Sequence, residues 1–140
     1  WIVPAERMKA KREHRVPLSN SAIEILTNLP RESDFLFPGE RCGNPLSNMA
    51  MLKTLDRLGR GDLTVHGFRS TFRDWAAERT NFQNHVVEMA LAHTIGDKVE
   101  AAYRRGDLFE KRVRLMDAWA EYATKTPEVS EVIIFRNDAA

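Results

Sequence analysis

Hydrophobic positions follow two rhythms along the chain. Two short β-capable runs come first, Trp1-Ile2-Val3-Pro4 and His14-Arg15-Val16-Pro17-Leu18, with the polar stretch Arg7-Met8-Lys9-Ala10-Lys11-Arg12 between them. This pattern predicts a hairpin with a cationic connection. Helical spacing then takes over. Ser19 or Asn20 caps a helix carrying Ile23, Leu26 and Leu29, closed by Pro30. Phe35-Leu36-Phe37-Pro38-Gly39 reads as an extended apolar piece ending in a turn. Ser47 is expected to begin a helix bearing Met51, Leu52, Leu55 and Leu58, with Gly59 suited to its C-terminal end.

Residues 64–79 make the best-defined helix, with Thr64 as its candidate cap. At about 100° per residue, Phe68, Phe72 and Trp75 share one stripe, and His66, Arg69 and Arg73 share another. One side suits a core and the other suits something anionic. Shorter helices are expected over 84–92 and 97–105. A longer one, over 108–123, carries Leu108, Leu115, Trp119 and Tyr122 on one side. Past Pro127, Val129-Ser130-Glu131-Val132-Ile133-Ile134-Phe135 is β-branched and apolar, and predicts a strand centred on 131–135. There is no internal repeat. The fold class expected is α+β, mainly α: a helical bundle with a small antiparallel sheet at the N-terminal hairpin and a C-terminal strand.

Composition adds limits. The 140 residues are 43% hydrophobic and 29% charged, the balance of a globular domain with a real core. No run of 18 apolar residues exists, so no membrane span is expected, and no leader precedes the first hairpin run. Cys42 is alone, so neither an intrachain disulfide nor a cysteine zinc site is expected, and a reducing cytoplasm fits. The first residue is Trp, which reads as a piece of something longer.

The net charge of +1 hides a sorted distribution. Residues 1–18 and 101–115 each hold five basic and two acidic side chains, while 74–100 hold two basic and five acidic. Basic segments that meet in space make a phosphate-binding surface; segments that do not are solvated faces.

Candidate chemistry concentrates in the second half. His66 and Arg69, at i and i+3, are neighbours on one helical face near an N-terminus, where free N–H groups also favour an anion. A guanidinium presents paired donors to phosphate oxygens, and an imidazole beside it can donate a hydrogen bond or move a proton. His93 follows the apolar Met89-Ala90-Leu91-Ala92. His66, His85 and His93 lack the i, i+4 spacing of a helical zinc motif, so no metal is expected. His85 reads as a solvated helix start and His14 as a structural strand residue. Tyr103, in Ala101-Ala102-Tyr103-Arg104-Arg105, is either a ring packed on the core or a nucleophile flanked by cations. Tyr122 lies on the apolar stripe and reads as core.

The order of these residues resembles the catalytic domain of tyrosine recombinases, the phage integrase family. Lys9 precedes Arg15-Val16-Pro17-Leu18; His66-Gly67-Phe68-Arg69 follows, then Leu91-Ala92-His93, then Tyr103. The wording of residues 64–75 and 101–107 is similar to prophage and genomic-island integrases that insert beside tRNA genes. The likeness spans about residues 1–123. It implies that residues 1–125 are the C-terminal part of an integrase catalytic domain and 126–140 a tail. It implies site-specific DNA recombination, integrating or excising a mobile element through a 3′-phosphotyrosyl intermediate. Tyr103 is then the nucleophile. Arg69 holds the non-bridging oxygens, His66 bonds the phosphate or assists proton transfer, and His93 bonds the phosphate. Lys9, with Lys11 as the alternative, is the general acid for the 5′-hydroxyl. Arg7, Lys11, Arg12, Arg73, Arg104 and Arg105 are then DNA contacts. Neither a metal nor ATP is needed, because cations of the protein take the metal's place and the covalent link conserves the phosphodiester's energy.

The implied partners are a double-stranded attachment site, further protomers in a tetramer on DNA, and DNA-bending accessory proteins, in a bacterial cytoplasm at the nucleoid. One departure matters. The family carries another catalytic arginine upstream of the hairpin, in a segment like G-L-R-x-x-E. Leu58-Gly59-Arg60 resembles that segment but stands after Lys9, in the wrong order. The 140-residue chain alone is therefore expected to be inactive. The strand at 131–135 is expected to pack either on its own domain, the favoured case, or on a neighbouring protomer. Other readings are a non-catalytic DNA-binding module on the same fold, a type IB topoisomerase and a plain helical interaction domain.

Overall fold

The N-terminal hairpin forms, but narrowly. A computed structural model of the chain describes residues 1–40, 43–93 and 106–126. In it β1 (Ile2–Val3) and β2 (His14–Arg15) pair antiparallel, Ile2 opposite Arg15 and Val3 opposite His14. The ladder gains one more pair at its open end. The Trp1 ammonium donates to the Val16 carbonyl at 3.0 Å, and the Val16 N–H donates to the Trp1 carbonyl at 2.7 Å. Pro4 and Pro17, which have no N–H to give a ladder, bound it. A 3-10 turn over Ala5–Arg7 leads into the connection, where Arg7, Lys9, Lys11 and Arg12 are all exposed.

Helix α1 spans Asn20–Thr27, and the cap is Ser19: its hydroxyl accepts from the Ala22 N–H at 3.3 Å. Helix α2 spans Ala50–Arg57. It starts later than expected because Ser47 opens a turn instead, its carbonyl accepting from the Ala50 N–H at 3.0 Å. Between them Gly39 donates to the Asn44 carbonyl at 2.8 Å. A Cβ at Gly39 would stand 2.5 Å from the Pro45 carbonyl oxygen, so only glycine fits there.

The core lies between α3 (Gly67–Arg79), α4 (Asn84–Ala90) and α5 (Phe109–Thr124). Phe72, Trp75 and Ala76 of α3 bury against Val86 and Val87 of α4 and Leu115 of α5. Trp119 closes the cluster, edge-on to Phe72 with centroids 5.4 Å apart and 5.1 Å from Trp75. Such pairs each add about 0.5–1.5 kcal/mol beyond their burial. Tyr122 joins at 5.6 Å from Trp75 yet stays 41% exposed, with the Arg79 guanidinium 5.7 Å from its ring. Phe68 departs from the expected core stripe. It is 53% exposed, because no described element covers the first turn of α3. The helix expected over 97–105 and the strand over 131–135 lie outside the described residues.

Charge counting along the chain overstated the cationic surface. Arg112 is only 1% exposed. Its Nε donates to the Asp107 carbonyl at 2.7 Å and its Nη2 to the Asp107 carboxylate at 2.9 Å, while Nη1 donates to the Arg15 carbonyl. Arg15 itself lies over the Phe109 ring at 3.9 Å and 3.5 Å from the same carboxylate. Burial lowers the Arg112 pKa from its ordinary value, and the Asp107 charge opposes that shift. One buried side chain thus ties the hairpin to the start of α5. No described helix is long and apolar enough to cross a membrane.

Candidate active site

Two helix ends meet at the site. The first is the start of α3. The Thr64 hydroxyl accepts from the Gly67 N–H at 3.1 Å and caps the opening turn. That turn sets His66 just before the helix and Arg69 in its first turn, both exposed.

The second is the end of α4. The Ala92 N–H donates to the Met89 carbonyl and the His93 N–H to the Glu88 carbonyl, at 3.1 and 2.9 Å. This crossed pair is a Schellman closure, and it requires a left-handed residue at position 92. Ala92 has φ 55°, a conformation glycine adopts freely and alanine does not. The chain reverses there and lays His93 back over Glu88.

The two ends are joined by Arg69. Its Nη2 donates to the Leu91 carbonyl at 2.6 Å and stands 2.9 Å from His93 Nε2. His93 Nδ1 stands 2.6 Å from Glu88 Oε2. A guanidinium only donates and a carboxylate only accepts. The imidazole between them therefore carries its proton on Nδ1 and offers the Nε2 lone pair to Arg69. The guanidinium keeps its Nε and Nη1 N–H groups, which have no acceptor among the described residues, for an incoming anion. A cationic fork at an exposed helix start, braced from behind by an imidazole and a main-chain carbonyl, is suited to hold phosphate oxygens.

The other candidates are placed as follows. Arg73 lies 2.9 Å from Glu88 Oε1. The approach is off a hydrogen-bond direction, so that buried oxygen carries an ion pair without a directed bond. His66, Lys9, Lys11, Arg7 and Arg12 have exposed side chains with no partner among the described residues. Tyr103, Arg104 and Arg105 lie outside the described residues. His14 is half-buried and donates toward the Ala90 carbonyl. Its pKa is lowered by burial and by Arg112, against the opposing effects of that bond and of Asp107. His85 is half-buried in the first turn of α4 rather than solvated. No group of three or more His, Cys, Asp or Glu among the described residues is placed to hold a metal ion.

Glu88 is the member of this cluster that the sequence pattern did not reveal. Its link to His93 depends on the left-handed turn at Ala92, and no glycine marks that turn.

The model of the phage integrase family matches residues 1–110. Prophage integrase IntA of Escherichia coli strain K12 is 37% identical over 126 residues, covering 86% of this chain and 30% of that protein. Prophage integrase IntZ of the same strain is 36% identical over 123 residues, covering 85% and 30%. The integrase of Shigella phage Sf6 is 30% identical over 132 residues, covering 86% and 32%. The chain spans about a third of the length of these relatives. No solved structure matches it. With the family match running through both α3 and α4, and so through the Arg69–His93 cluster, the chain belongs to the phage integrase family.

Proposed function

We propose that this chain is the C-terminal part of the catalytic domain of a tyrosine-type site-specific recombinase, which integrates or excises a mobile element by cutting and rejoining DNA. The observation that carries the reading is the Arg69–His93 pair, braced from behind and open in front.

The chemistry follows from the residue types. The Tyr103 phenol oxygen attacks the scissile phosphorus as its proton passes to His66. The P–O5′ bond breaks, and the 5′ oxygen leaves with the electron pair and takes a proton from Lys9. A 3′-phosphotyrosyl link remains. Negative charge grows on the non-bridging oxygens during attack, and Arg69 stabilises it there. The reverse sequence on a partner strand rejoins the DNA. Arg7, Lys11, Arg12, Arg104 and Arg105 contact the backbone around the cut. The substrate is a double-stranded attachment site, and further protomers of the same protein assemble on it. Accessory proteins that bend DNA bring the sites together.

Covalent trapping tests this reading. The complete gene product, its Tyr103→Phe variant and the 140-residue chain are each incubated with a nicked duplex carrying the junction between element and host chromosome. The expected result is a protease-sensitive adduct on a denaturing gel with the complete protein only. An adduct that persists in Tyr103→Phe removes that residue as nucleophile. Duplex binding by the complete protein without any adduct turns the reading into that of a DNA-binding module.

A further inference from the structure

Glu88 stands on α4 at the centre of a row of four charged or polar side chains. Its carboxylate is largely sheltered, at 18% exposure, between Arg73 and His93, and His93 in turn touches Arg69. Arg69 and Arg73 are four residues apart on α3, so their guanidinium groups share one helical face and repel. Glu88 is the anion set against that face. One of its oxygens faces Arg73 and the other takes the His93 Nδ1–H.

We propose that Glu88 is a positioning residue for the reaction: it locks the His93 ring in the Nδ1–H form, so that Nε2 accepts from Arg69 and aims the guanidinium at the scissile phosphate. This rests on the reading of Arg69 as the phosphate-holding group. Without Glu88 the imidazole is free to turn over or to move its proton to Nε2. A donor then faces a donor, and Arg69 is pushed from its place. The Leu91 carbonyl still holds one N–H of Nη2, but a single bond leaves the guanidinium plane free to rotate about it. Arg73 in this scheme is the counter-charge set against the other Glu88 oxygen, rather than a free contact for DNA.

The test has two readouts. The first is the imidazole nitrogen spectrum of the complete protein labelled at histidine and free of DNA, with His93 assigned through a His93→Asn variant. The Nδ1–H form is expected for His93. An Nε2–H form in the unaltered protein overturns the proposal without any variant at Glu88. The second is single-turnover adduct formation on the nicked duplex. Misplacing a catalytic group by about 1 Å costs on the order of 100-fold. Glu88→Ala is therefore expected to slow adduct formation by about 10- to 100-fold, with duplex affinity undiminished. Glu88→Gln keeps an acceptor for Nδ1–H and is expected to restore most of the rate. Adduct formation at the parent rate in Glu88→Ala overturns the proposal. So does a Glu88→Gln variant as slow as Glu88→Ala. Arg69→Ala separates the two readings. If it abolishes the adduct while Glu88→Ala does not, only the role of Glu88 falls. If Arg69→Ala leaves the adduct intact, the phosphate site itself is wrong.

Discussion

Arg69 donates to the Leu91 carbonyl at 2.6 Å, across 22 residues of chain. The acceptor is main chain, so no substitution at position 91 other than one that moves the backbone removes it. The bond fastens the first turn of α3 to the end of α4 and leaves the remaining guanidinium donors facing outward. Lysine cannot reproduce this. Its ammonium carries the charge but lacks the planar fork needed to bond Leu91, His93 and a phosphate together. Arg69→Lys in the complete protein is expected to lower single-turnover adduct formation by about 100-fold or more, with little loss of duplex affinity. Arg69→Ala is expected to weaken both.

Among the described residues, two helix ends use the same closure with different residues. At α2, Gly59 takes the left-handed position with φ 70°; at α4, Ala92 takes it with φ 55°. Alanine there costs about 1 kcal/mol, and glycine recovers part of that against its greater freedom in the unfolded chain. Ala92→Gly is expected to stabilise the fold by about 0.5 kcal/mol, and Gly59→Ala to destabilise it by about 1 kcal/mol. Denaturant midpoints of the two variants check the opposite signs.

Arg112 makes three hydrogen bonds from a buried position. Arg112→Met preserves bulk but leaves the Arg15 and Asp107 carbonyls and a carboxylate short of a donor. A loss of about 2–4 kcal/mol is expected from urea unfolding. Arg112→Lys is expected to fall between, because one ammonium cannot span acceptors on two segments.

His14 makes stability depend on pH. Burial and Arg112 hold its folded pKa below the ordinary value of 6.5. In that range the unfolded chain binds the proton more readily than the folded one, so acid favours unfolding. The stability held by the uncharged ring is complete above about pH 6.5 and is lost as pH falls through the lowered folded value. Denaturant midpoints measured from about pH 7 to pH 5 are expected to fall less steeply in His14→Gln than in the parent chain.

The sequence pattern anticipated the hairpin, a cap at Ser19 or Asn20, and the helices over 67–79, 84–90 and 109–124, because each has a local cause in spacing or capping chemistry. It also anticipated that His66 and Arg69 share a face, which needs nothing beyond the helical period. Its failures are non-local. Phe68 fits the apolar stripe, but whether anything covers a stripe is decided elsewhere in the chain. Arg112 counts as basic in a charge tally, and only the fold shows it turned inward onto Arg15 and Asp107. Glu88 meets His93 through a backbone reversal at an alanine, where the usual glycine signal is absent.

The Arg112 clamp also imposes an order on the making of the protein. The carbonyl it grips belongs to Arg15, 97 residues earlier. Ribosomes add on the order of 5–20 residues per second, so the strand leaves the peptidyl centre roughly 5–20 s before its clamp is synthesised. The cationic connection bearing Lys9 rides on that strand. A nascent chain can close the α3–α4 corner while the hairpin is still undocked, and the candidate general acid is brought to its station only when translation has passed Arg112, in the first turn of α5.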